Sequence, residues 1–189
     1  YFGGTKAAAS ENHLSAIEQT KGQVLTYNSQ PILALFSSNA GGHTESFENC
    51  FSDPDTKEFP PPALPYLKGV WETKSGKAPK SFDLSNEDDL RAFYAAAPFS
   101  EDRQSPHYRW RVHLTANQLE SHLHNNVEKL LKNPDSAPYI VAPKSKEFGH
   151  INGFRALKRG VAGTIIELGV QTSSGDWTIK KELVIRDFF

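Results

Sequence analysis

Pro31-Ile32-Leu33-Ala34-Leu35-Phe36, running straight into Ser37-Ser38-Asn39-Ala40-Gly41-Gly42-His43-Thr44-Glu45, is the stretch on which the reading of this chain turns. Six apolar residues are the right length for one buried strand, and too short and too β-rich for a helix. The run then breaks into polar, glycine-paired backbone. Two adjacent glycines can adopt positive φ and let another molecule approach the main chain, while Ser37, Ser38, Thr44, His43 and Glu45 supply donors and acceptors. The expectation is a strand that opens into a polar hollow. The plainer alternative is that Gly41-Gly42 is only a turn.

Outward from that stretch, 189 residues suit one domain, or a domain with an insertion, and suffice for a substantial core. Lys plus Arg number 21 and Asp plus Glu 22, a net charge of -1, so nothing in the balance recruits nucleic acid or an anionic membrane surface. No apolar run reaches the roughly 18 residues of a membrane span, and no basic-then-apolar signal opens the chain. The chain begins at Tyr1 and contains no Met, which is read as the loss of an upstream portion. The single Cys50 cannot close an internal disulfide.

Towards the N-terminus, residues 1–5 read as a short aromatic segment turning at Gly3-Gly4. Ser10 is placed to cap a helix carrying Leu14 and Ile17 on one face, with Gly22 ending it. Residues 23–27 alternate like a strand, and Asn28-Ser29 is a turn into the apolar run. Towards the C-terminus, a helical piece over 47–51 leads into a proline-interrupted loop (Pro54, Pro60, Pro61, Pro62) that is placed to wall a cleft. Direction recovers at Pro65-Tyr66-Leu67-Lys68-Gly69-Val70-Trp71.

Residues 76–80 have linker composition. Ser85 and Asp88 form a capping-box pair ahead of a helix with Leu90, Phe93, Tyr94 and Ala97 on one face, ended by Pro98. Residues 108–115 alternate more regularly than any other stretch, predicting a strand with Tyr108, Trp110, Val112 and Leu114 on one side and Arg109, Arg111, His113 and Thr115 on the other. Thr115 and Gln118 form a second capping box, opening a helix with Leu119, Leu123, Val127 and Leu130. Strands are predicted over 154–159, 164–172 and 177–180, the last two joined by a turn at 173–176. The fold class is α+β, with mixed or antiparallel sheets and packed helices, in a single domain with an inserted helical segment. Its parts are 1–75 with the Gly-Gly site, an insertion over 76–150, and a β-rich completion over 151–189.

A set of short pieces in fixed order carries a resemblance: Thr20-Lys21-Gly22-Gln23-Val24-Leu25-Thr26-Tyr27, Pro31-Ile32, Phe36-Ser37-Ser38-Asn39-Ala40-Gly41-Gly42-His43-Thr44-Glu45, Pro65-Tyr66-Leu67, Tyr108-Arg109-Trp110, Arg159-Gly160-Val161-Ala162-Gly163 and Ile185-Arg186. Together they resemble the sporulation stage II protein D family, SpoIID/LytB, most firmly over 1–71. The resemblance implies bacterial cell-wall work outside the cytoplasm, in the wall or envelope. Family enzymes are lytic transglycosylases: the muramyl C6 hydroxyl attacks its own C1, leaving a 1,6-anhydro end on the peptidoglycan glycan strand. One carboxyl serves first as acid and then as base. The LytB side implies instead a wall-binding or amidase-enhancing module, working with other cell-wall hydrolases.

The chain also departs from the family. The catalytic Glu of the resemblance lies upstream of the point that matches Tyr1, and so do the zinc ligands of zinc-binding members. No cofactor is therefore expected within these residues, and the 189 residues alone are expected to be inactive. The resemblance assigns glycan contact to Ser37, Ser38, Gly41, Gly42, His43, Thr44, Tyr66 and Lys68. Tyr66 and Lys68 offer an aromatic face with a hydroxyl tip and an ammonium for a carboxylate or lactyl group, or else anchor the loop and sit in solvent. Glu45 is the fallback acid, against the reading that it is a charge at a helix N-terminus. His122 and His124 diverge on their helix, and His43 and Cys50 lack ligand spacing, so no metal is expected. Arg109 and Arg111 flank Trp110 without a wider basic patch, which argues against nucleic acid. The Arg159-Gly160-x-x-Gly163 stretch lacks the Lys-Ser/Thr of a phosphate loop and reads as a hairpin turn.

Overall fold

In the computed structural model, residues 10–76, 82–96 and 100–189 are described. The segment at 1–5, most of the linker at 76–80, and Ala97 with Pro98 lie outside these residues in whole or in part. The elements make an α+β fold with antiparallel sheets, as expected. Contacts divide the chain into two compact units, Tyr1–Phe36 and Ser37–Phe189.

In the first unit, helix α1 (Glu11–Gln19) starts at a Ser10 capping box, with the Ser10 hydroxyl accepting from the His13 N–H. Gly22, at φ +76°, turns the chain after it. Strands β1 (Thr26–Tyr27) and β2 (Gln30–Pro31) form the expected hairpin. Its turn residues, Asn28 and Ser29, both have positive φ, the geometry that matches strand twist in a two-residue loop. The apolar run does not become a buried strand. No ladder among the described residues continues past Pro31, and Phe36 is 83% exposed. Length and composition permit a strand, but burial needs neighbours on the sheet, and local pattern cannot supply those.

The core of the second unit lies beneath its sheet. Strands β3 (Ile140–Val141), β4 (Ile151–Arg159), β5 (Ile165–Thr172) and β6 (Gly175–Lys180) are ordered β3-β6-β5-β4, all antiparallel. Period-two alternation turns Leu168 and Val170 of β5 and Trp177 and Ile179 of β6 into one core, and buries Ile166 of β5 as well. Helix α4 (Ala116–Lys132), opened by the expected Thr115–Gln118 capping box, adds Leu123, Val127 and Leu130. Helix α5 (Glu182–Phe188) closes the core with Val184, Ile185 and Phe188. That helix went unanticipated, although 184, 185 and 188 stand at helical spacing.

A smaller cluster lies nearer the motif. Helix α2 (Phe47–Cys50) is the expected short piece. Helix α3 (Glu87–Ala95) buries Leu90 and Phe93 beside Leu84, with Trp71 and Phe82 against them. Its cap is Asn86, which accepts from the Asp88 and Asp89 N–H groups; Ser85 instead donates to Asp83 (2.6 Å). Asparagine caps as well as serine does, so the one-residue shift costs nothing. Tyr94 is exposed rather than part of the buried face.

The alternating stretch 108–115 is not a strand. Tyr108 is buried, but Trp110, Val112 and Leu114 are exposed and no ladder forms there. The proline loop docks on the C-terminal sheet, with Tyr139 donating to the Lys57 carbonyl (2.8 Å) and Lys181 donating to Ser52 (2.9 Å).

Candidate functional site

The two motif stretches lie side by side. Thr44 N–H donates to the Val70 carbonyl (2.8 Å) and Glu72 N–H to the Gly42 carbonyl (3.0 Å), so 42–44 runs antiparallel to 70–72. The pairing continues as Phe47 N–H donates to Leu67 (2.9 Å) and Gly69 N–H to the Ser46 hydroxyl (3.0 Å). A Cβ on Gly69 would lie 2.5 Å from Val161 and 2.7 Å from the Thr44 carbonyl, so only glycine permits this approach.

The Gly-Gly turn forms as expected, with φ +70° and +108°, but its hollow is occupied by the protein itself. The N–H groups of Ala40 and Gly41 both donate to Asp102 Oδ2 at 3.1 Å, and the Ser100 hydroxyl holds the other Asp102 oxygen. The Gly41 carbonyl accepts from Arg109 (2.8 Å), whose guanidinium lies 4.0 Å from the Tyr108 ring centroid and 5.0 Å from those of Phe93 and Tyr94. At Gly42 a Cβ would meet Phe93 and Tyr108 at 3.1 Å each. The expected glycan hollow at Gly41 and Gly42 is therefore corrected to a packed turn. Asp102 and Arg109, which complete it, come from 60 or more residues away. Only Arg109 carried any signal, in Tyr108-Arg109-Trp110.

Glu45 is equally engaged. Its Oε1 accepts from Ser46 N–H (2.9 Å), Asn49 Nδ2 (2.8 Å) and Val161 N–H (3.0 Å), and its Oε2 from Ala162 N–H (3.0 Å). The 160–163 stretch is the hairpin turn expected, closed by Gly160 N–H to the Thr164 carbonyl (2.8 Å). Its successive N–H groups make an anion nest, filled by a carboxylate of the same chain. A Cβ on Gly160 would strike that carboxylate. The carboxyl expected as fallback acid is thus the pin between the motif and the β4–β5 hairpin.

His43 packs edge-on against Trp71 (4.6 Å) and hydrogen-bonds through Nδ1 to the Thr44 carbonyl (2.6 Å). Burial lowers its pKa below the ordinary histidine value, against smaller opposing effects of the Thr44 carbonyl, Glu45 and Glu72. It is neutral near pH 7, with the Nδ1 proton held by the backbone. Ser37, Ser38 and Lys68 are exposed, and Thr44 and Tyr66 half-buried. The Cys50 thiol is pushed up to about 12, first by burial and then by Glu45 and Glu182, so it is a poor thiolate ligand. His122 bonds Asn126 (2.9 Å) while His124 packs on Phe148 (5.1 Å). Among the described residues no three His, Cys, Asp or Glu side chains gather as a metal site, and no helix is long and apolar enough to cross a membrane.

Residues 45–189, more than three quarters of the chain, match the DUF8618 family, described as a domain of unknown function. The chain belongs to the DUF8618 family. This DUF8618 chain is also similar to Stage II sporulation protein D of Bacillus subtilis (strain 168), at 42% identity over 72 residues, 35% of the chain and 18% of the relative. The amidase enhancer of the same organism is 36% identical over 76 residues, 40% of the chain and 10% of the relative. Stage II sporulation protein D of Bacillus amyloliquefaciens is 38% identical over 66 residues, 33% of the chain and 17% of the relative. The SpoIID/LytB resemblance therefore holds over about a third of the chain, and the matches span less than a fifth of these relatives' lengths. No solved structure matches.

Proposed function

We propose that this chain works on the bacterial cell wall outside the cytoplasm, as the substrate-side part of a protein that cleaves peptidoglycan glycan strands by lytic transglycosylation. In that reaction the muramyl C6 hydroxyl displaces the glycosidic oxygen at its own C1. A carboxyl protonates the leaving oxygen and takes up the hydroxyl proton. The names of the similar proteins support the cell-wall setting. One observation supports this division of labour: Glu45, the carboxylate of the motif, accepts four hydrogen bonds and pins a hairpin, so it is committed to the fold. The acid is then supplied from outside these 189 residues, and this chain contributes scaffold and sugar contact, with Tyr66 and Lys68 at the motif edge.

The engaged Glu45 and the similarity to an amidase enhancer also favour a second reading, a wall-binding module that raises the activity of another hydrolase. Incubating the complete protein with peptide-stripped glycan strands and weighing the ends separates the two. Anhydromuramyl ends support transglycosylation. Intact strands, together with faster stem-peptide release by an added amidase, support the enhancer. Reducing ends without the anhydro form refute the transglycosylase reading.

A further inference from the structure

Strand β4 ends the sheet order β3-β6-β5-β4, so one of its two edges carries no neighbouring strand. Among the described residues, no backbone group of 152–158 finds a hydrogen-bond partner beyond the ladder with β5. We propose that this edge is a docking site for an extended peptide segment of alternating apolar and acidic residues, added to the sheet as a further strand. Such docking is independent of the glycan reading above.

Strand addition needs a row of free ladder groups and a pocket for alternate side chains. Gly153 to Ala156 supply the row: they pair in unbroken register with Gln171 to Leu168, between the irregularities at 151–153 and 156–158. The pocket is a groove of about 240 Å³ between β4 and the start of α4, lined by Ala116, Leu119, Glu120, Ile151, Gly153 and Phe154. Below the roughly 300–1,000 Å³ of small-ligand sites, it fits side chains from one face of a strand. Gly153 points the same way. A glycine weakens a strand interior unless another backbone comes close, and the fold itself does not ask for one here. Its φ lies outside the left-handed region, and a Cβ would meet only Gln171 Oε1 at an ordinary 3.5 Å.

Charge selects the occupant. β4 carries Arg155, Lys158 and Arg159 and no acid, and Arg159 is committed to Glu87. Arg155 and Lys158 point away from the core, since their cross-strand partners Gly169 and Glu167 alternate with buried Leu168. Opposite Gly169, Arg155 has no side chain to answer it across the ladder, and Glu167 is shared between Lys158 and Lys180 on its two sides. The acid of the groove, Glu120, is already held by His150 Nδ1 (2.8 Å) and the Ile151 N–H (3.2 Å). A strand with apolar residues towards Leu119 and Phe154 therefore gains by presenting carboxylates on its other face. A second copy is disfavoured on the same ground. Its unladdered run over 110–115, laid with Trp110, Val112 and Leu114 towards the groove, would bring Arg111 up against Arg155 and Lys158.

The test is fluorescence anisotropy with an end-blocked, labelled peptide of alternating glutamate and valine, and with its lysine–valine counterpart. Wild type is expected to bind the acidic peptide at least about tenfold more tightly than the basic one, and less tightly as salt rises. Ala116→Trp, at the exposed first residue of α4, should fill the groove and weaken binding about tenfold, with the melting temperature near wild type. Arg155→Glu should erase the preference for the acidic peptide. Backbone N-methylation of that peptide should abolish binding, and retained binding would refute strand addition. No binding by wild type, equal binding of the two peptides, or wild-type behaviour in both variants overturns the proposal. So does a concentration-dependent dimer that Ala116→Trp dissolves, which would give the edge to a second copy.

Discussion

Glu45→Ala removes an acceptor of four hydrogen bonds in one step. The Val161 N–H can turn to water, whereas the bonds from Ser46, Asn49 and Ala162 lie in part-buried surroundings. Three bonds to a charged acceptor, at about 1.5 kcal/mol each, give a loss of about 4.5 kcal/mol. For a domain of this size about 2–4 °C accompanies each kcal/mol, so the melting temperature should fall by about 9–18 °C. Glu45→Gln can keep its carbonyl oxygen at the Oε1 position and forfeit chiefly the Ala162 bond, so its loss should be about a third as large. Thermal unfolding followed by circular dichroism reads both. The reasoning is refuted if both variants melt with wild type while glycan cleavage by the complete protein disappears, because Glu45 would then act on substrate and not on the hairpin.

Because burial lowers the His43 pKa, the folded state binds its proton less well than the unfolded state does. Its contribution to stability is complete above about pH 6.5 and declines as pH falls through that value; melting curves from pH 8 to 5 should show a decline that His43→Gln flattens. Gly42→Ala places a Cβ at φ +108°, 3.1 Å from Phe93 and Tyr108, and should cost about 1–3 kcal/mol in urea unfolding. Asp102→Ala strips the acceptor from the Ala40 and Gly41 N–H groups and should cost about 2 kcal/mol, read by faster hydrogen exchange at those two amides.

Local chemistry was legible wherever the determinants lie within a few residues of one another. The helix cap at Ser10, the capping box at Thr115, the Asn28-Ser29 turn and the alternation of 165–172 all became what their residues dictate. Runs whose fate depends on distant neighbours were misread: 31–36 and 108–115 have strand pattern, yet among the described residues no ladder continues past Pro31 and none receives 108–115. The Gly-Gly turn is subject to the same limit. It looked open because the groups that fill it, Asp102 and Arg109, are remote in sequence and follow no period. Glu45 looked like a possible acid because its partners, Val161 and Ala162, are more than a hundred residues away.

The most direct measurement is mass analysis of the ends left when the complete protein acts on peptide-stripped glycan strands, run in parallel with Glu45→Gln. The account predicts 1,6-anhydromuramyl ends from both proteins, with the variant impaired only in proportion to its lost stability. Intact strands from wild type, or a stable Glu45→Gln protein without activity, would contradict it.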